Sequence, residues 1–272
     1  MALKILLSTA LTFLLAGPVL SSVILRNPGN LSGWSSILRE HSGTVDQVTN
    51  VVYAGSTAIK VTQTYDSSGT YTGRYHSEVH SSRGYHRGET LFYGFAFRLS
   101  DTWEFDSGQS YNIGQWIADF SNTGCDDWKP SSMIWLDGNT LNTRVVSGNI
   151  CNSPPTTTYS NIATVSAGAW HTIVVQASWQ SDTSGFYKLW FDGTKVLEKY
   201  NIKTTLDDDR EFEWHMGLYA NSWHDQGRMV GTQGFRQVWY DNLAIGTTTD
   251  GRLGGVVGRG LTVYFPVVAE TV

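Results

Sequence analysis

The feature that most constrains this chain is a succession of short runs rich in Val, Thr and Tyr, which Gly, Asn, Asp and Ser interrupt about every ten residues. These runs alternate apolar and polar side chains, whereas no long segment repeats apolar residues at the helical spacing. Short strands between frequent turns are typical of a β-sandwich or β-barrel. A chain of 272 residues is also long enough for one large all-β domain with a substantial core.

The two ends of the sequence differ from the rest. Residues 1–22 carry one positive charge at Lys4, then an apolar run and small residues, which is the pattern of a secretory signal peptide. We therefore expect a secreted, extracellular protein in which residues 23–250 form a single β-domain. Residues 251–272 are rich in Gly and then apolar, and this pattern leaves the structure of the tail open. No later segment has the length and apolarity of a membrane helix.

The charge and the cysteines narrow the functional classes. A formal net charge of −5 does not attract nucleic acid or a membrane surface by general electrostatics, so neither is an expected partner. A polyanionic substrate would have to be held by local Arg, Lys and His. We expect the protein to act as a monomer.

Cys125 and Cys151 are the two cysteines of a secreted chain, which predicts a disulfide that stabilises the fold by roughly 3.5 kcal/mol.

Residues 214–223, with the sequence WHMGLYANSW, are predicted to form a strand with one polar and one apolar face. Alternation places His215, Gly217 and Tyr219 together on the polar face. Gly217 leaves a gap beside Tyr219, where another backbone or a polymeric ligand can lie close to the sheet. Tyr219 is therefore our candidate chemical centre.

A second strand is predicted within residues 71–80, where alternation places Arg74, His76, Glu78 and His80 on one face. Four ionisable side chains in a row cannot enter a core without large desolvation costs, so they face water or line a cleft. A solvated outer face is the plain interpretation. Two imidazoles and a guanidinium around one carboxylate favour a site that holds an anion and transfers protons near neutral pH.

Further strands are predicted at residues 91–99, 112–120, 141–146, 170–179, 186–196 and 237–246. The segment 186–196 runs into an Asp-Gly hairpin turn. Among these strands, Gln115, Arg144, Lys188 and Asp241 are the polar residues that we carry forward as site candidates.

Three of the segments resemble motifs of the alginate lyases of polysaccharide lyase family 7, which lie on the concave face of a β-jelly roll. Residues 76–80 resemble R-[ST]-E-L-R, residues 115–117 resemble Q-[IV]-H, and residues 215–221 resemble K-x-G-x-Y-x-Q. The polar motif residues that differ, namely two Arg, a His, a Lys and a Gln, are replaced here by His76, His80, Ile117, His215 and Asn221. The resemblance therefore implies a shared scaffold and a different substrate.

Most of the mature chain is also similar to the fungal glucuronan lyases of polysaccharide lyase family 20, on residues 217–224, 231–234 and 236–241. This resemblance implies an all-β jelly-roll sandwich of two antiparallel sheets, of the concanavalin or lectin type, with a structural calcium ion. It also implies cleavage of β-1,4-linked polyglucuronate, an anionic polysaccharide, by β-elimination. Alginate or another polyuronate is the alternative substrate.

β-Elimination removes the C5 proton of a uronate and expels O4, while negative charge builds on the carboxylate and must be stabilised by donors. Gln115 and a protonated His76 or Arg74 are candidates for holding that carboxylate. Because H5 and O4 lie on one face of D-glucuronate, Tyr219 could serve as base and acid if nearby cations lower its pKa from about 10. His76 is the competing base. We predict Tyr219 as the acid and leave the base open between Tyr219 and His76.

The remaining candidates are substrate and metal contacts. Trp190 or Trp223 could stack on sugar faces, and Asp241 is a candidate calcium ligand because calcium prefers carboxylate and carbonyl oxygens. A solvent-facing strand Asp is the alternative for Asp241. The predicted substrate-binding residues are Arg74, Glu78, His80, Arg144, Lys188 and Asn221, with Glu78 expected to orient a neighbouring His or Arg.

Two other functional classes compete with a lyase. A glycoside hydrolase on a similar sandwich needs two carboxylates about 5 to 10 Å apart. The nearest sequence signature is Glu104 with Asp106, which lacks the second Glu of the usual pattern. A non-catalytic sugar-binding sandwich is the other class, because fold alone does not specify chemistry.

Overall fold

The computed structural model describes residues 22–247, which form two antiparallel β-sheets packed face to face. The predicted signal peptide, apart from Ser22, and the predicted tail 251–272 lie outside the described residues. Within the described range, no helix has the length and apolarity to cross a membrane.

One sheet has eight strands, in the order β13-β12-β11-β6-β15-β4-β3, with β1 also paired to β15. These strands are β1 (Val23–Asn27), β3 (Thr44–Val48), β4 (Ala58–Thr64), β6 (Thr90–Leu99), β11 (Trp170–Ser178), β12 (Gly185–Phe191), β13 (Thr194–Ile202) and β15 (Phe235–Gly246).

The other sheet has seven strands, in the order β10-β9-β8-β7-β14-β5-β2. They are β2 (Ser36–Arg39), β5 (His76–Tyr85), β7 (Ser110–Asp119), β8 (Trp128–Asp137), β9 (Thr140–Val146), β10 (Thr156–Thr164) and β14 (Phe212–Tyr219). The described helices are short: α1 (Asn221–Asp225) and two 3₁₀ turns, Ser121–Thr123 and Ile150–Asn152. The all-β sandwich of two antiparallel sheets predicted from the sequence is confirmed.

The core lies between the sheets and is rich in aromatic side chains. The Tyr85 ring stacks on Trp179 at 4.0 Å between centroids and on Phe212 at 4.6 Å. Strand alternation supplies these side chains, since Met216 and Leu218 of β14 are wholly buried, as predicted for the apolar face. The alternate residues of the same strands therefore point away from the core, onto the outer face of the seven-stranded sheet.

Most predicted strands are confirmed, and two boundaries are wrong. The segment predicted at 71–80 is shifted, because β5 begins at His76 and Arg74 lies just before it. The strand predicted over 214–223 ends at Tyr219, and the chain turns into α1. The turn buries Trp223 against Tyr75, with ring centroids 5.2 Å apart, so tertiary packing overrides the strand pattern there.

The predicted disulfide between Cys125 and Cys151 is present, with Cα atoms 5.1 Å apart. It joins the segment that enters β8 to the 3₁₀ turn after β9. Because this cross-link restricts the unfolded chain, it stabilises the fold by about 3.5 kcal/mol. The bridge also fixes the loop from which β8 emerges.

Candidate active site

A cleft of about 870 Å³ runs over the outer face of the seven-stranded sheet. Its walls come from β2, β5, β7, β8, β9, β14 and α1. The cleft brings together residues that are far apart in sequence. The predicted site residues that line it are Arg74, His76, Glu78, His80, Gln115, Arg144, Tyr219 and Asn221.

Three predicted contacts lie elsewhere. Lys188 is on β12 of the eight-stranded sheet, where it pairs with Glu198 at 3.3 Å. Its neighbour Tyr187 is wholly buried between the sheets, so Lys188 projects from the face opposite the cleft. Trp190 and Trp223 are both buried away from the cleft lining. The predictions that these three side chains contact substrate are therefore wrong.

The floor of the cleft is a buried carboxylate. Glu78 is 1 % exposed and accepts a hydrogen bond from Gln115, with Nε2 to Oε1 at 3.1 Å. The two residues lie on strands β5 and β7, which flank β14, so their side chains meet over β14. The space at Gly217 is taken by the β5 backbone, because a Cβ there would meet the Ser77 carbonyl oxygen and Glu78 Cα. The same Gln115 nitrogen lies 3.4 Å from the other Glu78 oxygen, Oε2.

Two imidazoles share the same carboxylate. His80 Nε2 lies 3.4 Å from Glu78 Oε2 and His215 Nδ1 lies 3.6 Å from it. Burial alone would raise the pKa of Glu78, but the charge of His76 and the imidazoles of His215 and His80 outweigh it and hold that pKa well below its ordinary value. Glu78 is therefore ionised throughout the neutral range.

His215 supplies a compensating positive charge. Burial disfavours its imidazolium form, but hydrogen bonds with Glu213 and Glu78 outweigh burial and raise the pKa of His215. The contact between His215 Nε2 and Glu213 Oε2 is 2.8 Å. The His80 and His215 rings stack in parallel, with centroids 3.4 Å apart and planes 2° apart. The two rings thus lie face to face above the Glu78 carboxylate.

Glu78, His80 and His215 are a possible metal-binding triad, since their ligand atoms lie within 4.8 Å of one another. Imidazole nitrogens suit zinc or copper better than calcium, which prefers oxygen ligands. A metal bound by imidazole lies near the ring plane at about 2.0–2.1 Å from nitrogen. Because the two rings are parallel and 3.4 Å apart, one ion cannot lie in both planes without a rotation of one ring.

Tyr219 lies between a base candidate and a cation. Its ring contacts that of His76, with centroids 3.9 Å apart, and its hydroxyl accepts a hydrogen bond from Arg74 at 2.6 Å. Burial and the charge of Asp225 nevertheless raise the pKa of Tyr219 to about 12, because they outweigh Arg74. The condition for Tyr219 to act as the base, a pKa lowered by nearby cations, is therefore not met. Tyr219 is therefore a neutral phenol at neutral pH, able to donate a proton.

Glu40 is a site residue that the sequence analysis missed. It follows β2, and its Oε2 accepts hydrogen bonds from His76 Nδ1 at 2.8 Å and from the His76 backbone N–H at 3.1 Å. An ionised carboxylate only accepts hydrogen bonds, so the proton of a neutral His76 is on Nδ1 and the lone pair is on Nε2. Glu40 and His76 are 36 residues apart, and no local pattern relates them.

The remaining cleft residues form its edges. Arg144 is largely buried, and burial lowers its pKa, although its side chain still lines the cleft. Asn221 begins α1 and accepts a hydrogen bond from the Ser110 hydroxyl at 3.3 Å. Asp225, which the sequence analysis also missed, lies 3.9 Å from Arg74. Arg74 and Asp225 therefore form a paired cation and anion beside Tyr219.

The two carboxylates of the sequence signature considered for a hydrolase, Glu104 and Asp106, are outside the cleft. Asp106 pairs with the wholly buried Arg236 at 3.2 Å, and Glu104 accepts a hydrogen bond from Thr232. Both carboxylates therefore hold loops together, and neither lines the cleft.

Asp241 is wholly buried in β15 and is not a solvent-facing strand residue. Burial raises its pKa, although it accepts three backbone hydrogen bonds, from Tyr53, Ala54 and Asn242. A Cβ added at Gly29 would lie 2.9 Å from Asp241 Oδ1 and would collide with the Thr57 carbonyl oxygen. A carboxylate and a carbonyl oxygen therefore lie close together against Gly29, which fits the ligand preference of calcium.

Comparisons with known proteins agree with the fold. A sequence model described as polysaccharide lyase matches residues 26–244. The structure is similar to the endo-β-1,4-glucuronan lyase of the fungus Trichoderma reesei, with 55% identity, a TM-score of 0.81, and coverage of 84% of this chain and 96% of that one. No curated protein matches the chain.

A more distant similarity concerns the fold alone. The marine PL-14 alginate lyase of Aplysia kurodai is 9% identical, with a TM-score of 0.53, over 82% of this chain and 98% of that one.

We predict that Gly217→Ala destabilises the protein by about 1–3 kcal/mol and disrupts the cleft, because the new methyl group would meet backbone and not a mobile side chain. It would lie 2.6 Å from Glu78 Cα and closer still to the Ser77 carbonyl oxygen. Gly114→Ala is the matched control, since its methyl group would meet the flexible Met216 side chain at 3.0 Å. Thermal unfolding compares the two variants, and equal losses would contradict the prediction.

Proposed function

The chain belongs to the polysaccharide lyase family, and on that premise we propose that it cleaves β-1,4-linked polyglucuronate by β-elimination, leaving unsaturated uronate ends. The observation that carries the proposal is the 55% identity to the Trichoderma reesei glucuronan lyase, across 96% of that protein. Alginate or another polyuronate is the alternative substrate. The cleft supports an elimination because it holds a base candidate, a phenol and an amide together.

His76 acts as the base in this proposal. Glu40 binds its Nδ1–H and leaves Nε2 free to take the C5 proton, while the carboxylate stabilises the imidazolium that forms. Tyr219 is a weaker candidate for the base because its raised pKa disfavours the phenolate. The Glu40–His76 pair thereby supports one of the two choices that the sequence left open.

Tyr219 acts as the acid. As the C5 proton moves to His76, the electron pair forms the C4–C5 double bond, the C4–O4 bond breaks, and the Tyr219 hydroxyl protonates O4. H5 and O4 lie on one face of the sugar, so base and acid must be neighbours. The 3.9 Å contact between the His76 and Tyr219 rings supplies that arrangement.

Gln115 and Arg74 hold the substrate carboxylate, where negative charge builds in the transition state. Glu78 orients the Gln115 amide, and His80 and His215 compensate the Glu78 charge. Arg144 and Asn221 contact neighbouring sugars from the edges of the cleft.

We also propose that residues 1–22 direct secretion, that residues 23–250 act as one extracellular domain, and that the protein works as a monomer.

A calcium ion in this proposal is structural. Asp241 and the Thr57 carbonyl would hold it, and it would join β15 to the loop before β4 by neutralising a buried carboxylate. No cationic side chain of the described residues pairs with Asp241, which supports a cation at this position.

The proposal is tested by incubating the purified protein with polyglucuronate, alginate, heparin and a neutral glucan while following near-ultraviolet absorbance. We expect absorbance to rise with polyglucuronate, because elimination creates a conjugated double bond. A faster rise with alginate would favour the alternative substrate. New reducing ends from the glucan, without absorbance, would indicate a hydrolase, and binding without product would indicate a lectin.

The catalytic roles predict that Tyr219→Phe lowers kcat by about 10²- to 10⁴-fold, since it removes only the proton that O4 receives.

Glu40→Gln should lower kcat/KM and move the acid limb of the pH profile of kcat/KM to lower pH, because the His76 imidazolium loses its carboxylate partner. Tyr219, Glu78 and Arg74 remain around His76 in this variant.

Asp192→Asn is the matched control for Glu40→Gln. It removes a similar contact, between His171 and Asp192 at 2.7 Å, in the eight-stranded sheet. An acid limb that moves equally in both variants, or in neither, would exclude Glu40 as the partner of the base.

The metal proposal predicts that a chelator lowers the melting temperature of the wild-type protein and that calcium restores it. An ion present at 100 times its Kd stabilises the folded state by about 2.7 kcal/mol. Asp241→Asn should be less stable and should not respond to either addition. A wild-type melting temperature that is insensitive to chelator would contradict a calcium site at Asp241.

A further inference from the structure

One tryptophan differs from the others in its exposure. The chain has 11 tryptophans, all within the described residues, and Trp128 alone among them is exposed, at 47 %. Burying a large aromatic side chain is favourable, so an exposed one in a monomer is a candidate contact for a ligand. Trp128 lines the cleft, and its ring lies 6.0 Å from that of His215.

The register places the backbone of Trp128 far from that of Tyr219, although the Trp128 ring extends back to His215. Trp128 pairs with Asp119, four residues after Gln115 on β7, whereas Tyr219 pairs with Asn112, three residues before Gln115. Seven residues of β7 separate the two positions, which at about 3.4 Å per residue is roughly 24 Å along the strands. The backbones of Trp128 and Tyr219 therefore lie toward opposite ends of the cleft.

The fold holds Trp128 in place. The Cys125–Cys151 disulfide lies three residues before it, and the Asp127 carbonyl accepts a hydrogen bond from the Phe120 backbone N–H. Lys129 follows directly and pairs with Asp126 at 3.3 Å. An aromatic side chain on a fixed backbone loses little conformational freedom when it binds, so more of its contact energy contributes to affinity.

Charge does not explain the exposed ring. Lys129 pairs with Asp126, Glu213 shares His215 with Glu78, and Asp127 adds one further negative charge to the cleft lining. This end of the cleft therefore offers no excess cation to a uronate carboxylate. What it does offer is a flat apolar surface beside polar groups, which matches the C–H face of a pyranose ring.

We propose that Trp128 forms a distal sugar subsite, which takes one pyranose unit of a bound polyuronate by stacking, with the carboxylate of that unit turned toward solvent. This inference rests on the proposed function, because it assumes that a polysaccharide occupies the cleft. The subsite makes the enzyme prefer polyuronate chains long enough to reach from Tyr219 to Trp128. Binding at the subsite depends little on ionic strength, since it does not use a free charge.

The first test is kinetic. Trp128→Ala should raise KM for long polyglucuronate about five- to tenfold, as expected for loss of an aromatic contact, and the increase should shrink as the chain is shortened. Trp128→Phe should restore most of the affinity because it keeps an aromatic face. The matched control is Tyr200→Ala, which removes a side chain that is 51 % exposed on the other sheet and should not change KM. An increase in KM that is the same at every chain length would overturn the subsite.

The second test does not require turnover. In the Tyr219→Phe protein, long polyglucuronate should protect tryptophan fluorescence from quenching by acrylamide, and this protection should disappear when Trp128→Phe is added. Protection should persist in high salt. If the wild-type protein gives no unsaturated product from any uronate, the proposed function fails, but quenching with each polysaccharide still tests Trp128. No protection by any of them would overturn the subsite alone.

Discussion

The cleft depends on a charge buried beneath its floor. Glu78 is almost inaccessible to water, and an ionised carboxylate in such a position is tolerated only when donors and positive charge surround it. Gln115, His80 and His215 supply that compensation from β7, β5 and β14. Because Gly217 carries no side chain, the β5 backbone at Ser77 and Glu78 can lie close against β14. One electrostatic requirement thereby fixes the positions of several side chains that face the cleft.

The proposed proton transfer depends on two different environments beside this floor. His76 is hydrogen-bonded to the Glu40 carboxylate, whereas burial and Asp225 raise the pKa of Tyr219 and keep it neutral. Neighbouring groups with such opposed environments are suited to opposite roles, one receiving a proton and the other giving it. Arg74 donates a hydrogen bond to the Tyr219 oxygen and so orients the phenol without making it acidic enough to ionise.

The two sheets have different roles in the structure. The seven-stranded sheet carries the cleft, and the eight-stranded sheet covers the other side of the aromatic core. This division explains why Lys188, which looked like a substrate contact by alternation alone, has no part in the cleft. Alternation assigns a side chain to one of two faces, but it does not say which face is inside or which sheet a strand joins.

The sequence by itself determined the strands and their faces, because side-chain alternation with a period of two is a local property of the chain. It thus grouped His76 with Glu78 and predicted that Tyr219 stands beside a gap. The tertiary structure alone decided the partnership of Glu40 with His76, the raised pKa of Tyr219 and the exposure of Trp128. Contacts between distant segments and burial depend on which strands become neighbours, and no local pattern encodes that choice.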